Sequence, residues 1–408
     1  MIHTRQIQGF ANQFVNYSGI TLDNRYAVYY VTDVRGEEEI SAAEPYMAGV
    51  LRYDYVDGSQ EFTSYGPGSY LESASSAKDC IYYADLQWED QTAVCILHQI
   101  DCRTMESRKV YTLRISRDSA ENLDMHSFRR AEFHGLGKRY VLAAIPELND
   151  PYNRKRNSGY SGYVLIDLDL GQHFHVPDSI GPRDRIVHTS WITVFKHENT
   201  EQLLIETGRI QCYEKREIWE VRKYDMIEGV AIQSVVVIPL EVFVEGVKNG
   251  VPIAESYIID QCGPSCGYPV IRPVAAGISL YKHYFDEEHS ELCMYNPTTR
   301  EMQRTRIKGT YKRLYITEEL RTYGILDHGV QEELLDADSG ELLFTGEPNA
   351  MVRVVSRGHA LTRKFIPEQD TLLLQLLDLE SRQATHSIYG RFATHSYLTG
   401  ADLHIFCG

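Results

Sequence analysis

Seven times along the chain an apolar strand-like run ends in an Asp or Asn, and in five of these a Glu or Gln follows five residues later. The clear copies are Asp101/Glu106, Asp167/Gln172, Asn296/Glu301, Asp336/Glu341 and Asp378/Gln383, and Asp54 and Asp225 open looser ones. In each, alternating strand residues feed a short polar turn that starts a second strand, which is a β-hairpin written in sequence. A strand-only unit recurring at intervals of tens of residues points to a radial repeat architecture, a β-propeller.

The markers are spaced 47, 66, 58, 71, 40 and 42 residues apart. Strand-like runs such as 25–33, 80–86, 92–101, 161–170 and 371–379 fill most of the chain, and helical periodicity is nearly absent. Only 118–130 reads as one or two helical turns inside a connection. The long intervals hold insertions at about 146–160 and 241–267, the second expected to form an extra hairpin or a lid over one face. No Pro/Ser linker or charge tract divides the chain, so residues 1–408 are read as one all-β domain, a single closed β-propeller. Seven blades fit the spacing, with eight as the alternative. Residues 2–10 are expected to close the ring as the outer strand beside 393–408, which would remove two aggregation-prone edges.

Composition narrows the partners. The formal net charge is −16, and the one basic run, Arg154-Lys155-Arg156, is too short to invert that field, so nucleic acid and anionic membrane are not expected partners. The chain shows no apolar N-terminal stretch and no span-length apolar segment, which reads as a cytoplasmic protein. Its eight Cys are scattered, as reduced core thiols would be. The pair Cys262/Cys266 lacks the second Cys pair that a zinc site needs. Tyr is abundant, 28 against 13 Phe, which suits half-buried strands or a polar pocket.

No phosphate loop, nucleophile elbow or metalloprotease motif is present. What remains is a set of His near predicted strand starts: His188, His197, His386 and His395. His173 and His175 alternate onto one strand face and have the spacing of a chelating pair, although they sit beside a turn where such a pair is ordinarily solvated.

At these positions the chain resembles the oligogalacturonate lyase-type propellers. Residues 185–221 are similar to that family's fourth blade, with His188, Glu206, Gly208 and Trp219 at the motif places and Ile205 where the motif has His. Residues 3–31 and 393–406 resemble its closing blade. The family holds a divalent metal with three His and one Gln. Of those four places this chain keeps His395, and it has Tyr268 and Tyr397 at two of the others. One imidazole among phenols does not make a first-row metal site, so neither metal nor other cofactor is expected.

The resemblance leaves His188, Tyr268, His395 and Tyr397 as candidate catalytic groups around a funnel. Arg154, Arg156, His197 and Glu206 are candidate ligand-binding groups, the arginines as a carboxylate clamp or as a cation that activates a Tyr. The expected function is binding of a polar small molecule, an oligosaccharide or a partner protein through the funnel face, without metal-dependent catalysis. The alternative is a related carbohydrate-active lyase acting on uronate oligosaccharides by acid–base elimination.

Overall fold

The computed structural model describes residues 3–7, 14–15, 19–22, 25–33, 48–54, 56–64, 69–70, 79–89, 92–116, 132–146, 161–177, 179–180, 184–210, 231–263, 265–274, 276–285, 289–307, 311–317, 321–390, 392–399 and 402–407. These form consecutive antiparallel meanders. The succession of sheets is all-β and consistent with the blades of a β-propeller.

The chain divides into two units, residues 18–264 and residues 1–17 with 265–408. In the first, Gly19–Leu22, Tyr26–Asp33, Ala48–Asp54 and Gln60–Ser64 pair in chain order, and the sheets from Ser69 to Ser116 and from Glu132 to His175 follow. The fourth sheet has five strands, with Asp184–His197, Thr200–Ile210, Ala231–Pro239 and Ile258–Cys262 forming its main ladder. The second unit repeats the pattern from Cys266 to Ile307, from Arg313 to Thr345 and from Ala350 to Gly390. Its last sheet pairs Phe392–Thr399 with Asp402–Cys407 and adds His3–Ile7 in parallel, from His3 opposite Asp402 to Ile7 opposite Phe406.

The repeated turn explains the repeated sequence. Asp167 lies opposite Gln172, Asn296 opposite Glu301 and Asp378 opposite Gln383, so the residue five places on is the cross-strand partner. The Asp336 N–H donates to the Glu341 carbonyl at 2.9 Å, and the Gly340 N–H returns to the Asp336 carbonyl at 2.7 Å. The side chain then caps the loop. Oδ1 of Asp336 accepts from the N–H groups of Asp338 and Ser339 at 3.1 and 2.9 Å, and Asp101 and Asn296 do the same in their turns. The fourth residue after each of the six described markers is left-handed: Gly58, Met105, Gly171, Arg300, Gly340 and Arg382 all have φ between 59° and 76°. Where that residue is not Gly, the strain of about 1–2 kcal/mol is offset by the capped loop. The seventh marker, Asp225, lies outside the described residues.

Two of these carboxylates are clamped from the neighbouring turn. Arg25 pairs with Asp54 at 2.8 Å, and Arg139 grips Asp167 through two bonds of 2.8 Å each. In both cases the Tyr after the Arg, Tyr26 or Tyr140, is the cross-strand partner of the Asp.

Strands buried on both faces build the core between sheets. In Cys80–Glu89, Tyr82 and Ala84 pack with Phe133, Val141 and Val164 of the following sheet. Ile81 and Tyr83 turn the other way, onto Val28, Val50 and Met105. Tyr323, Ile325 and Leu334 likewise meet Val352, Val354 and Leu377 in the second unit. Among the described cysteines Cys80, Cys95, Cys102, Cys262 and Cys293 are buried and Cys266 is half-buried, and burial raises the pKa of Cys95 and Cys102.

The expected hairpin or lid at 241–267 is instead a helix, Leu240–Lys248 (α1), followed by a strand that pairs with Ala231–Pro239. The segment LEVFVEGVK places Leu240, Phe243, Val244 and Val247 on one buried stripe at helical spacing. Val-rich composition disguised that period as strand. The expected turns at 118–130 and the loop at 147–160 lie outside the described residues. Among the described residues no helix is long and apolar enough to cross a membrane.

Candidate functional site

The strand Asp184–His197 pairs with Thr200–Ile210 over its whole length, but the register breaks twice. Ile186 faces Arg209 and His188 faces Gly208, leaving Val187 over; Thr189 faces Thr207 and Trp191 faces Glu206, leaving Ser190 over. His188 therefore sits between two β-bulges and opposite a residue with no side chain. Bulges bend a strand, re-aim its side chains and concentrate beside functional sites. The His188 side chain itself lies outside the described residues.

Glu206, on the partner strand, faces Trp191 at the second of these breaks. Along Thr200–Ile210, Leu203 and Ile205 enter the core with Ile192 and Val236, so Glu206 belongs to the opposite face. Ile205 is a core residue only 4% exposed. The Gln233 side-chain amide donates to Oε1 of Glu206. Burial pushes the Glu206 carboxyl above the ordinary Glu range, and the Gln233 hydrogen bond opposes this only in part. A half-buried carboxyl that holds its proton more tightly than usual can donate to, or accept from, a polar ligand.

His197 is elsewhere. It ends the same strand nine positions beyond His188, opposite Thr200, which is about 30 Å along an extended chain. His386 lies on an exposed strand, and its Nδ1 is 3.2 Å from the Thr385 hydroxyl.

The second unit holds a different polar cluster. In Cys266–Val274, Tyr268 and Pro269 together oppose the single residue Lys282, because Gly267 pairs with His283 and Val270 with Tyr281. Pro cannot donate to a ladder, so the break falls where it stands. Tyr268 is 8% and Lys282 6% exposed. The Lys282 ammonium lies 5.7 Å from the Tyr268 ring centre and 5.5 Å from that of Tyr284. The Tyr284 hydroxyl donates to Glu291 at 3.2 Å, and Arg304 approaches the same carboxylate at 3.2 Å. Burial raises the Tyr284 pKa against the opposing effect of Lys282.

His395 and Tyr397 sit on Phe392–Thr399, where the pairing jumps from Phe392/Cys407 to Ser396/Ile405, so His395 too falls in a register break. Their side chains lie outside the described residues, as do Arg154, Arg156 and Trp219 entirely. Among the described residues no group of three or more His, Cys, Asp or Glu is placed to hold a metal.

Sequence reasoning missed Gln233 and Lys282. Lys282 had a visible signal, a Lys between two Tyr in the strand SLYKHY. Gln233 had none, since only the register between Thr200–Ile210 and Ala231–Pro239 brings it to Glu206.

No family model matches the sequence, and no curated protein matches it. Among solved structures the chain is similar to dipeptidyl peptidase 4 of Porphyromonas gingivalis, at 11% identity and a TM-score of 0.49, over 96% of this chain and 56% of that one. It is similar to the β-propeller domain of the Trilobed protease from Pyrococcus furiosus at 10% identity and 0.41, over 91% and 96% of the two chains. An oligogalacturonate lyase in complex with manganese is also similar, at 11% identity and 0.44, over 92% and 89%. The distant resemblance read from the sequence is thus met among the solved propellers.

Proposed function

We propose that the chain is a closed cytoplasmic β-propeller, one domain with each sheet a blade, that binds a polar ligand around His188, Glu206 and Gln233. Ring closure would run through the pairing of His3–Ile7 with Asp402–Cys407. Seven blades fit both the spacing and the seven sheets of four or five strands among the described residues, and the closing three-stranded sheet is what would make an eighth.

The observation that carries the ligand site is the double bulge around His188 opposite Gly208, beside a carboxyl whose pKa is raised by burial. Such a set offers neutral donors and acceptors, which suits hydroxyl-rich ligands such as oligosaccharides better than phosphates. Tyr268, Lys282, His395 and Tyr397 are proposed as a second polar set belonging to the other unit. Arg154 and Arg156 remain candidates for a carboxylate-bearing ligand.

The test is thermal stabilisation of the chain by neutral and uronate-containing oligosaccharides. The proposal expects a saturable rise in melting temperature that Glu206→Ala and His188→Ala each abolish. An unchanged response in both variants, or no response to any sugar, removes it.

The alternative, acid–base elimination on a uronate oligosaccharide, is favoured by the same raised Glu206 pKa, since a general acid must hold its proton near working pH. Ultraviolet absorbance of an unsaturated product, lost in Glu206→Gln, would support it. Its absence at high enzyme concentration leaves the binding reading alone.

A further inference from the structure

The strand Gln172–His175 follows directly from the Asp167 turn and alternates its side chains. Phe174 packs inward against the core around Leu142 and Leu203 and lies under the Lys248 ammonium, 5.5 Å from its ring centre. His173 and His175 are thereby sent to the opposite, exposed face. Their ring centres are 6.1 Å apart and their planes nearly perpendicular. A third group comes from the preceding sheet. Tyr111, on Ser107–Ser116, brings its hydroxyl 2.8 Å from Nδ1 of His173.

We propose that His173 and His175 form a binding site for an imidazole-preferring transition-metal dication, with Tyr111 orienting His173 and water completing the coordination. A metal-bound imidazole uses its other ring nitrogen for an outer hydrogen bond, which fixes its tautomer and ring plane. When Nδ1–H of His173 donates to the Tyr111 oxygen, the Nε2 lone pair remains for the metal. The pair stands on a strand held from behind by Phe174, and its first turn is held by the buried Asp167, so little order must be created on binding. Two nitrogens with open water positions suit Cu(II) and Ni(II) best, with Zn(II) weaker.

The experiment titrates the untagged full chain with Cu(II) and with Zn(II) by calorimetry and records the Cu(II) electron paramagnetic resonance spectrum. The expected result is one Cu(II) per chain with two-nitrogen coordination, held more tightly than Zn(II). His175→Ala should weaken Cu(II) binding by at least about tenfold, and Tyr111→Phe by about tenfold or more. His328→Ala, an exposed imidazole paired with Glu333, should change nothing. Because His175 is exposed, its replacement should leave the melting temperature unchanged, so a loss of binding is not a loss of fold. Wild-type affinity in His175→Ala, equal loss in His328→Ala, or no saturable binding overturns the site. Wild-type affinity in Tyr111→Phe overturns the role of the phenol.

Discussion

Lys248, the last residue of α1, reaches 81 positions back along the chain to place its ammonium 2.6 Å from Oδ2 of Asp167. Asp167 is fully buried and also receives the Arg139 fork, so one hairpin-turn carboxylate fastens both its own sheet and the inserted helix. Burial alone would raise its pKa, but Arg139 and Lys248 outweigh that and hold the carboxyl far below the usual carboxylate range.

Asp167→Asn keeps the shape of the turn cap and leaves two cations facing a neutral amide. The expected destabilisation is about 2–4 kcal/mol, below that of a fully buried pair because Arg139 and Lys248 retain contact with water. A depressed pKa contributes stability fully present above the ordinary Asp value of about 3.9 and lost as pH falls through the folded value. Urea melts of the two chains should therefore differ most near neutrality and converge in acid. A gap that is constant with pH would show that the ion triad is not its source.

Glu206 runs the opposite way. Its raised pKa means that its stabilising part is complete below the ordinary Glu value of about 4.3 and is lost as pH rises through the folded value. Glu206→Gln mimics the protonated carboxyl, so it should match wild type in acid and equal or exceed it at pH 7. Melting temperatures across that interval check this, and a variant that is less stable at neutral pH contradicts it.

Gly324 lies against the Tyr311 ring so closely that a Cβ would overlap it. Tyr311 is 5% exposed and packed with Tyr281, Leu314 and Ile316, so it cannot yield freely. Gly324→Ala should cost about 1–3 kcal/mol in overpacking. Chemical denaturation reads the effect directly, and a stability within error of wild type would mean that the ring has room to move.

Deleting residues 1–7 removes the strand His3–Ile7 and bares the edge of Asp402–Cys407. Light scattering should show aggregation, or calorimetry a loss of cooperative unfolding. A monomeric deletion chain with wild-type melting would show that this pairing is dispensable.

The hairpins were legible in the sequence because their determinants are local. An Asp or Asn that caps its own loop, a left-handed residue four places on and a cross-strand partner at the fifth are fixed by backbone geometry within a few residues, as at Asn296–Glu301. The same locality made the third-to-fourth strand turns recur visibly. What the sequence could not decide is everything set by register and by packing between sheets. The double bulge around His188, the meeting of Gln233 with Glu206 and the approach of Tyr111 to His173 join residues whose separations carry no pattern. The helix Leu240–Lys248 was hidden for a related reason: its Val-rich stripe favours a strand locally, and burial against Leu136 and Leu203 overrides that preference. Local turn chemistry thus determined the repeat, while tertiary packing determined which side chains share a site, because one extra residue in a strand sends every later side chain to the other face.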